Sequence, residues 1–481
     1  LISNNSTTYN LTMPEAGLFE LDSRQVLNAI FATIRTAVKK AVSDSRYCRD
    51  PLKALSFGSF SEAMVPVSSQ GEILGPSIFS HDQRGKYAVE RFNKIGQKDF
   101  FKINPNILGY SYSYPKLVWY REHAPDMNVK VWKYLNWSDF LTFKLTGDAA
   151  TTYGHAVRTL LFDLWKEKWS DELLEAGGVE RRVLANLIPS GIVIGTVKKE
   201  ISEFLGFPDN VLVISGGHDQ CLNALGAGAI SGGSSVTGIG TFECTTLVFD
   251  DIPDTDLMLH LKLGIEHHAV PEKYVTFIYN QGGSLQTWFI QAFTPELMKK
   301  GASEREILNI LTGEAPDKSG NVVFLPFLEP SGAPAFLPEG RGCFLDIGTG
   351  TDRGALYRAL LEGESMFFLE AFEALSKNGL PINHVQATGG GSRSDFWLQI
   401  KADILQRPVH RARHRESGTV GAAILAGMAT GIYGSFKEAI GIFSGIDASF
   451  FPRREFTEIY AGLYKKYKKG LGLISSGEWH N

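Results

Sequence analysis

Asp219 is the residue of this 481-residue chain best placed to do chemistry. It follows Val211 to Ser215, a continuous apolar run of the kind buried on both faces in a parallel sheet, and Gly216-Gly217-His218 reads as the turn after that strand. A carboxylate at the C-terminal tip of a buried strand has a rigid support and lies where open α/β sheets bind ligands. It can accept the proton of an attacking hydroxyl, which is what transfer of a γ-phosphoryl group asks of a side chain. Gln220 beside it can hold a second hydroxyl. The same aspartate can also cap the small-residue helix predicted over Leu222 to Ala229, and the local sequence leaves both roles open.

Glycine-rich segments supply a second kind of chemistry. Gly238-Ile239-Gly240-Thr241 lies in a predicted hairpin that begins at Ser234 and returns over Cys244 to Phe249. Its amides and hydroxyl can wrap a phosphate, or its glycines can simply turn the hairpin. Gly389-Gly390-Gly391 falls between a predicted strand, His384 to Ala387, and a predicted helix, Asp395 to Leu405. There a nucleotide can approach the backbone and meet helix N-terminal amides. The spacing is wrong for G-x-G-x-x-G, which disfavours an NAD-dependent oxidoreductase.

Other motifs read more blandly. Arg407, His410, Arg411, Arg413, His414 and Arg415 lack the interleaved aromatics that stack bases, so the run reads as a solvated surface face. His267-His268 has no Cys, Asp or Glu partner at ligand spacing and reads as core or surface histidine. The lysines between Tyr464 and Lys469 read as the wet face of a C-terminal helix.

The elements that must position these groups alternate in type. Asp22-Ser23 caps an amphipathic helix carrying Leu27, Ile30, Phe31, Ile34, Val38 and Ala41. Ala54 to Phe57 and Ala63 to Pro66 read as strands, Ser68 to Gly71 as a turn, and Val131 to Thr146 as an aromatic-rich helix closed by Gly147. Strand, glycine turn and helix in succession predict α/β layers. The length exceeds one ordinary core, so two domains are expected, 1–225 and 226–481.

Composition narrows the class further. Hydrophobic residues at 43% and charged residues at 21% are those of a globular protein, and the 50 glycines suit tight turns and close backbone approaches. A net charge of -4 supplies no overall field for nucleic acid or an anionic membrane. Cys48, Cys221, Cys244 and Cys343 are far apart without CxxC spacing, which predicts a reducing cytoplasm. No apolar run of about 18 residues is long enough to span a bilayer, and the N-terminus lacks signal-peptide regions.

Taken in order, the motifs resemble the FGGY family of carbohydrate kinases over nearly the whole chain. Ser111-x-Ser113-x-x-Lys116-Leu117-x-Trp119, continuing to Glu122-His123, is similar to one family signature, with Tyr120 where an aliphatic residue is usual. Gly342-x-Phe344 through Leu356-x-x-Ala359-Leu360-Leu361-Glu362 is similar to the second, departing at Asp346 and Ala355. Phe324 to Phe327 and Gly389 to Trp397 also resemble family segments.

The resemblance implies two actin-like domains around a central cleft, the first binding sugar and the second ATP. It implies transfer of the ATP γ-phosphoryl group to a ketose or polyol, with Asp219 as base and Mg2+ bridging the phosphates. Gly240, Thr241, Gly283, Gly390, Gly391 and Ser394 are the implied nucleotide residues. Glu62, Tyr153, Asp219 and Gln220 resemble a hydroxyl-binding set, with Asp82 and Arg84 supporting that wall as an ion pair. Ser61-Glu62 stands where xylulokinases carry Met-His and glycerol kinases Arg-Glu. That mixture implies a xylulose-like pentulose, a tetritol or a glycerol-like polyol. The family's first strand, D-x-G-T turn and second strand would precede Leu1, roughly 20 to 30 residues in all. The magnesium ligand is therefore expected outside this sequence, none is assigned within it, and the polypeptide beginning at Leu1 is expected to turn over weakly and to expose a sheet edge. The alternative is a kinase-fold protein that binds sugar or nucleotide with little or no phosphotransfer. The expected partner is a small-molecule sugar or polyol, not nucleic acid or membrane, and a homodimer is compatible with it.

Overall fold

Asp22 opens the first long helix, α1 (Ser23–Ala41), its carboxylate accepting from the amides of Arg24 and Gln25 at 2.9 and 3.0 Å. This satisfies two of the amides that a helix start leaves unpaired. The computed structural model describes residues 1–335, 337 and 340–475. Val26 and Leu27 of α1 pack with Val65, Leu135 and Phe140 in a buried cluster. Residues 131–146 do not form one helix as the sequence predicts. Lys133–Asn136 instead pairs antiparallel with Met64–Val67, and the helix begins only at Trp137. The pairing places Leu135 opposite Val65, and that packing overrides local helical tendency.

The site is carried by a short series of elements. β1 (Ala54–Ser59), the five-residue helix α2 (Tyr153–Val157), β2 (Val193–Thr196) and β3 (Leu212–His218) lead to helix α3 (Asp219–Ala227). The strands form a sheet in the order β2-β3-β1, with β3 antiparallel to β2 and parallel to β1. β3 runs three residues beyond the predicted end, and α3 starts three residues early. The reason is steric: a Cβ on Gly216 would lie 1.7 Å from the Phe57 carbonyl oxygen, so glycine lets the strand continue against β1. β1 lies at the edge of this sheet, beside a cavity of about 510 Å³.

A larger sheet holds β4 (Ser234–Ile239), β5 (Phe242–Phe249), β6 (Glu266–His267), β7 (Tyr274–Gln281), β8 (His384–Thr388), β9 (Val409–Ala412) and β10 (Ile446–Phe450). Its order is β6-β7-β5-β4-β8-β9-β10, and β8 is parallel to both β4 and β9. Helices α4 (Gly283–Phe293), α5 (Arg353–Lys377), α6 (Asp395–Leu405) and α7 (Ser417–Ala429) accompany it. The basic run is only partly the solvated face that the sequence suggests. Arg411 lies in β9 and pairs with Asp395 and Asp447, and Arg407 donates to the carbonyls of Ile382 and Leu405, while Arg413, His414 and Arg415 are exposed. The lysines of the C-terminal helix Thr457–Ser475 flank buried Tyr464 and Tyr467, as expected.

The two sheets meet through α3 and α7. A Cβ on Gly226 would lie 1.8 Å from the Ser417 carbonyl oxygen, and one on Gly421 would lie 2.0 Å from that of Leu222. These glycines let the helix backbones touch, with Leu222, Leu225, Ile424 and Leu425 buried around them.

Candidate active site

The sharp passage from β3 into α3 sets Asp219 at the first helical position, with His218 as the N-cap residue. No side chain caps this helix start, so capping is not what the Asp219 carboxylate does here. The carboxylate is 45% exposed and borders the 510 Å³ cavity together with β1 and the start of α7. Its neighbours His218 and Gln220 line a second, smaller cavity of about 190 Å³. Asn106, Tyr112 and Arg158 reach that cavity from one half of the molecule, and Cys244, Glu266 and Tyr279 from the other. Asp219 therefore stands between two cavities.

Arg158, at the C-terminal end of α2, is a residue that sequence reading missed. Its guanidinium forms an ion pair with Glu62 and lies 4.9 Å from the centre of the Tyr112 ring. Glu62 also accepts from the Ser61 amide at 3.0 Å. Burial alone would raise the Glu62 carboxyl, but the charges of Arg158 and His218 outweigh it and hold it at about 2. Glu62 thus meets the smaller cavity through Arg158. The available signal was local: Arg158 follows flagged Tyr153 by five residues, and a buried carboxylate at position 62 requires a cation.

The other predicted wall residues lie further off. The Tyr153 ring packs 5.6 Å from Phe162 and 5.2 Å from His267, and it does not line the smaller cavity; burial and the Glu167 charge raise its hydroxyl. Asp82 and Arg84 do form the predicted ion pair, at 2.7 Å, and Arg84 binds Glu20 as well. They stand behind Lys116, which burial lowers to about 7 although the Asp82 and Glu62 charges oppose this.

His218 and Glu266 form a pair that the sequence did not reveal. Glu266 directly precedes the histidines read as partnerless, and its Oε1 accepts from His218 Nδ1 at 2.7 Å. His267 contacts Glu167 at 3.2 Å, and His268 lies buried against the Ala229 carbonyl, where burial lowers it to about 4.

The predicted nucleotide residues converge on the β4–β5 turn. The amides of Gly282 and Ser284 donate to the Thr241 carbonyl, each at 3.0 Å, and that of Gly283 donates to the Gly240 carbonyl at 2.8 Å. Gly389, at φ 79°, packs against Ile239, where a Cβ would come within 2.7 Å of its carbonyl oxygen. A Cβ on exposed Gly390 would meet no heavy atom within 4 Å, which leaves an open backbone surface beside the turn. Ser394 caps α6, its Oγ accepting from the Trp397 amide at 3.2 Å. Beneath the turn, buried Lys401 bridges Glu243 at 2.8 Å and Glu364 at 2.7 Å. Burial opposes the Lys401 charge, but the two carboxylates raise its pKa.

A bare glycine backbone of this kind fits a nucleotide. Magnesium fits less well. Among the described residues the compact group of donor side chains is His218, Cys221 and Glu266, and imidazole and thiol suit that hard cation poorly. Also among the described residues, no helix is long and apolar enough to cross a membrane.

A carboxylate at the first helical position after a buried strand, bordering a cavity, and a glycine-built turn on a second α/β unit are the parts of a two-domain phosphotransferase. The models of the FGGY family of carbohydrate kinases match residues 1–226 as its N-terminal domain and 264–430 as its C-terminal domain. The chain belongs to this family. It is similar to the xylulose kinase of Staphylococcus epidermidis, 26% identical over 469 residues that cover 97% of this chain and 91% of that one. Its fold matches the solved gluconate kinase of Lactobacillus acidophilus, with a TM-score of 0.86 and 24% identity over 98% of this chain and 94% of that one. The ligand-bound xylulose kinase of Lactobacillus acidophilus matches with a TM-score of 0.85 and 23% identity over 98% and 94%. The protein is an ATP-dependent carbohydrate kinase with the two-domain actin-like fold.

Proposed function

We propose that the acceptor is a xylulose-like pentulose, and that smaller polyols of the tetritol or glycerol type are poorer substrates. The observation that carries this reading is the 190 Å³ cavity beside Asp219, where Asn106, Arg158, Gln220 and Tyr279 offer groups that pair with hydroxyls. Its volume is below the roughly 300 to 1,000 Å³ of sites for drug-sized ligands, which suits a five-carbon sugar. The similarity to xylulose kinases supports the same choice.

Asp219 takes the proton of the acceptor hydroxyl as that oxygen forms a bond to the γ-phosphorus. The bond from that phosphorus to the bridging oxygen of ATP breaks, and ADP leaves with the electron pair. Arg158 and Gln220 orient the acceptor, and the Gly240–Thr241 turn with Gly283, Gly390 and Gly391 carries the nucleotide. Magnesium enters only as the counter-ion of the ATP phosphates, and no residue here is assigned to it. Division at residues 225/226 is part of this reading, supported by the family match ending at 226. So is a reducing, cytoplasmic setting, supported by four unpaired cysteines.

A coupled ADP-release assay over C3 to C7 ketoses, alditols and aldonates tests the substrate class. Xylulose is expected to give the highest kcat/KM, and a clear preference for an aldonate or for glycerol overturns the choice. Asp219→Ala is expected to lower kcat by about 10² to 10⁴-fold. Acceptor binding, measured by calorimetry, should survive that change.

A further inference from the structure

We propose that His218, held by Glu266, is a positioning residue that keeps the Asp219 carboxylate aimed, and that this support exists only while the two halves of the molecule are together. The inference rests on the reading of Asp219 as the base and adds to it the groups that hold it in place.

The geometry is a chain of three side chains. Glu266 Oε1 accepts from His218 Nδ1–H at 2.7 Å, and the opposite ring nitrogen, Nε2, lies 3.3 Å from Asp219 Oδ1. A carboxylate only accepts, so the Glu266 bond fixes a proton on Nδ1 and turns Nε2 toward Asp219. His218 and Glu266 are 6% and 3% exposed, so little water competes for either contact. Phe277 sets its ring edge-on to the imidazole, 5.1 Å between centroids, and limits ring rotation.

The chain also crosses the molecule. His218 is the last residue of β3 in the three-stranded sheet, whereas Glu266 is on β6 at the edge of the seven-stranded sheet. If the halves separate, Nδ1 loses its acceptor and the imidazole is no longer oriented toward the base.

Charge favours the doubly protonated ring. Burial opposes it, but the Glu266 charge and hydrogen bond, with the Asp219 charge, outweigh burial and the opposing Arg158 charge and raise the His218 pKa. Other groups facing it are Glu62 beyond Arg158, the Cys221 thiol on the same Glu266 oxygen at 3.5 Å, and His155 at 6.4 Å between ring centroids. The Cys221 thiol is pushed well up by burial, so it adds no charge near neutrality. With the ring doubly protonated, its charge attracts the Asp219 carboxylate across the 3.3 Å between Nε2 and Oδ1 and holds it in place.

The test uses the whole chain, with ATP and D-xylulose as probes, and compares pH profiles of kcat and KM. In the wild type kcat is expected to fall on the alkaline side as His218 loses its Nε2 proton. Glu266→Gln is expected to move that limb down by about one pH unit or more, because it removes the anion that holds the ring charged. His218→Asn should remove the limb and lower kcat at least tenfold, with KM for D-xylulose within twofold. Profiles that superimpose on the wild type after scaling overturn the proposal, and so does a loss confined to KM. A second readout needs no turnover. The ¹⁵N-imidazole resonance that vanishes in His218→Asn should titrate above about 6.5 in the wild type and at lower pH in Glu266→Gln; an unchanged midpoint overturns the proposal. Asp219→Asn separates the layers: if it retains turnover, the base reading fails and takes the positioning with it. If it is inactive while Glu266→Gln keeps the wild-type limb, only the positioning fails.

Discussion

Glu62 and Arg158 bring opposite charges into a space with little water, and each depends on the other to remain charged there. The carboxyl, ordinarily at 4.5, is held at about 2 in the fold. A depressed folded value means that the stabilisation is fully present above the unfolded value and is lost as pH falls from about 4.5 to about 2. Glu62→Gln leaves the Arg158 charge uncompensated and is expected to cost about 3 to 5 kcal/mol in urea denaturation at pH 7. The difference from wild type should shrink as pH falls through that window, and a pH-independent difference counts against the ion pair as its source. At this scale legibility followed distance along the chain. Asp219 could be read because its strand is contiguous with it. Arg158 was passed over, because the partner that explains its burial lies 96 residues away and only its nearness to Tyr153 was local. Glu266 escaped because its own partner, His218, is 48 residues earlier.

Helices α3 and α7 touch through glycines, and α3 begins with Asp219, so their packing and the placement of the base are one problem. Gly226→Ala puts a Cβ 1.8 Å from a backbone oxygen of α7, which no rotamer change can relieve. The helices must move apart, at a cost of about 1 to 3 kcal/mol. The expected result is a lower urea midpoint with an unchanged slope, together with a fall in kcat larger than the change in acceptor KM. Wild-type kcat in a destabilised Gly226→Ala protein would show that the helix contact does not set the base. The elements themselves were largely legible: α1 with its Asp22 cap, the β4–β5 hairpin and the β8–α6 unit stand where apolar spacing and turn residues put them. The misses share a cause. β3 continues through two glycines because β1 lies against it, and Lys133–Asn136 is a strand because Met64–Val67 pairs with it. Both are decided by a neighbour distant in sequence, which local pattern does not encode.

At the scale of the whole molecule, the smaller cavity belongs to neither half alone. Asn106, Tyr112 and Arg158 supply one side and Cys244, Glu266 and Tyr279 the other, and His81, stacked on Phe79 within one half, stacks on Phe242 across the same division at 6.0 Å. The nucleotide residues, in contrast, all lie on elements of the seven-stranded sheet and its helices: the β4–β5 turn, the start of α4 and the loop after β8. Two ligands with such different footprints should leave different marks on backbone opening, because a ligand protects what it bridges and stabilises the closed state by its own binding free energy. Hydrogen exchange followed by mass spectrometry reads this directly. ATP alone should slow exchange around 239–243, 282–285 and 389–394, with little effect on 104–112. The acceptor alone should slow 104–112 and 274–281 together, and at 100 times its Kd should add about 2.7 kcal/mol to global stability. Acceptor protection confined to 104–112, with 274–281 unaffected, would mean that the sugar occupies one half only and that closure does not depend on it.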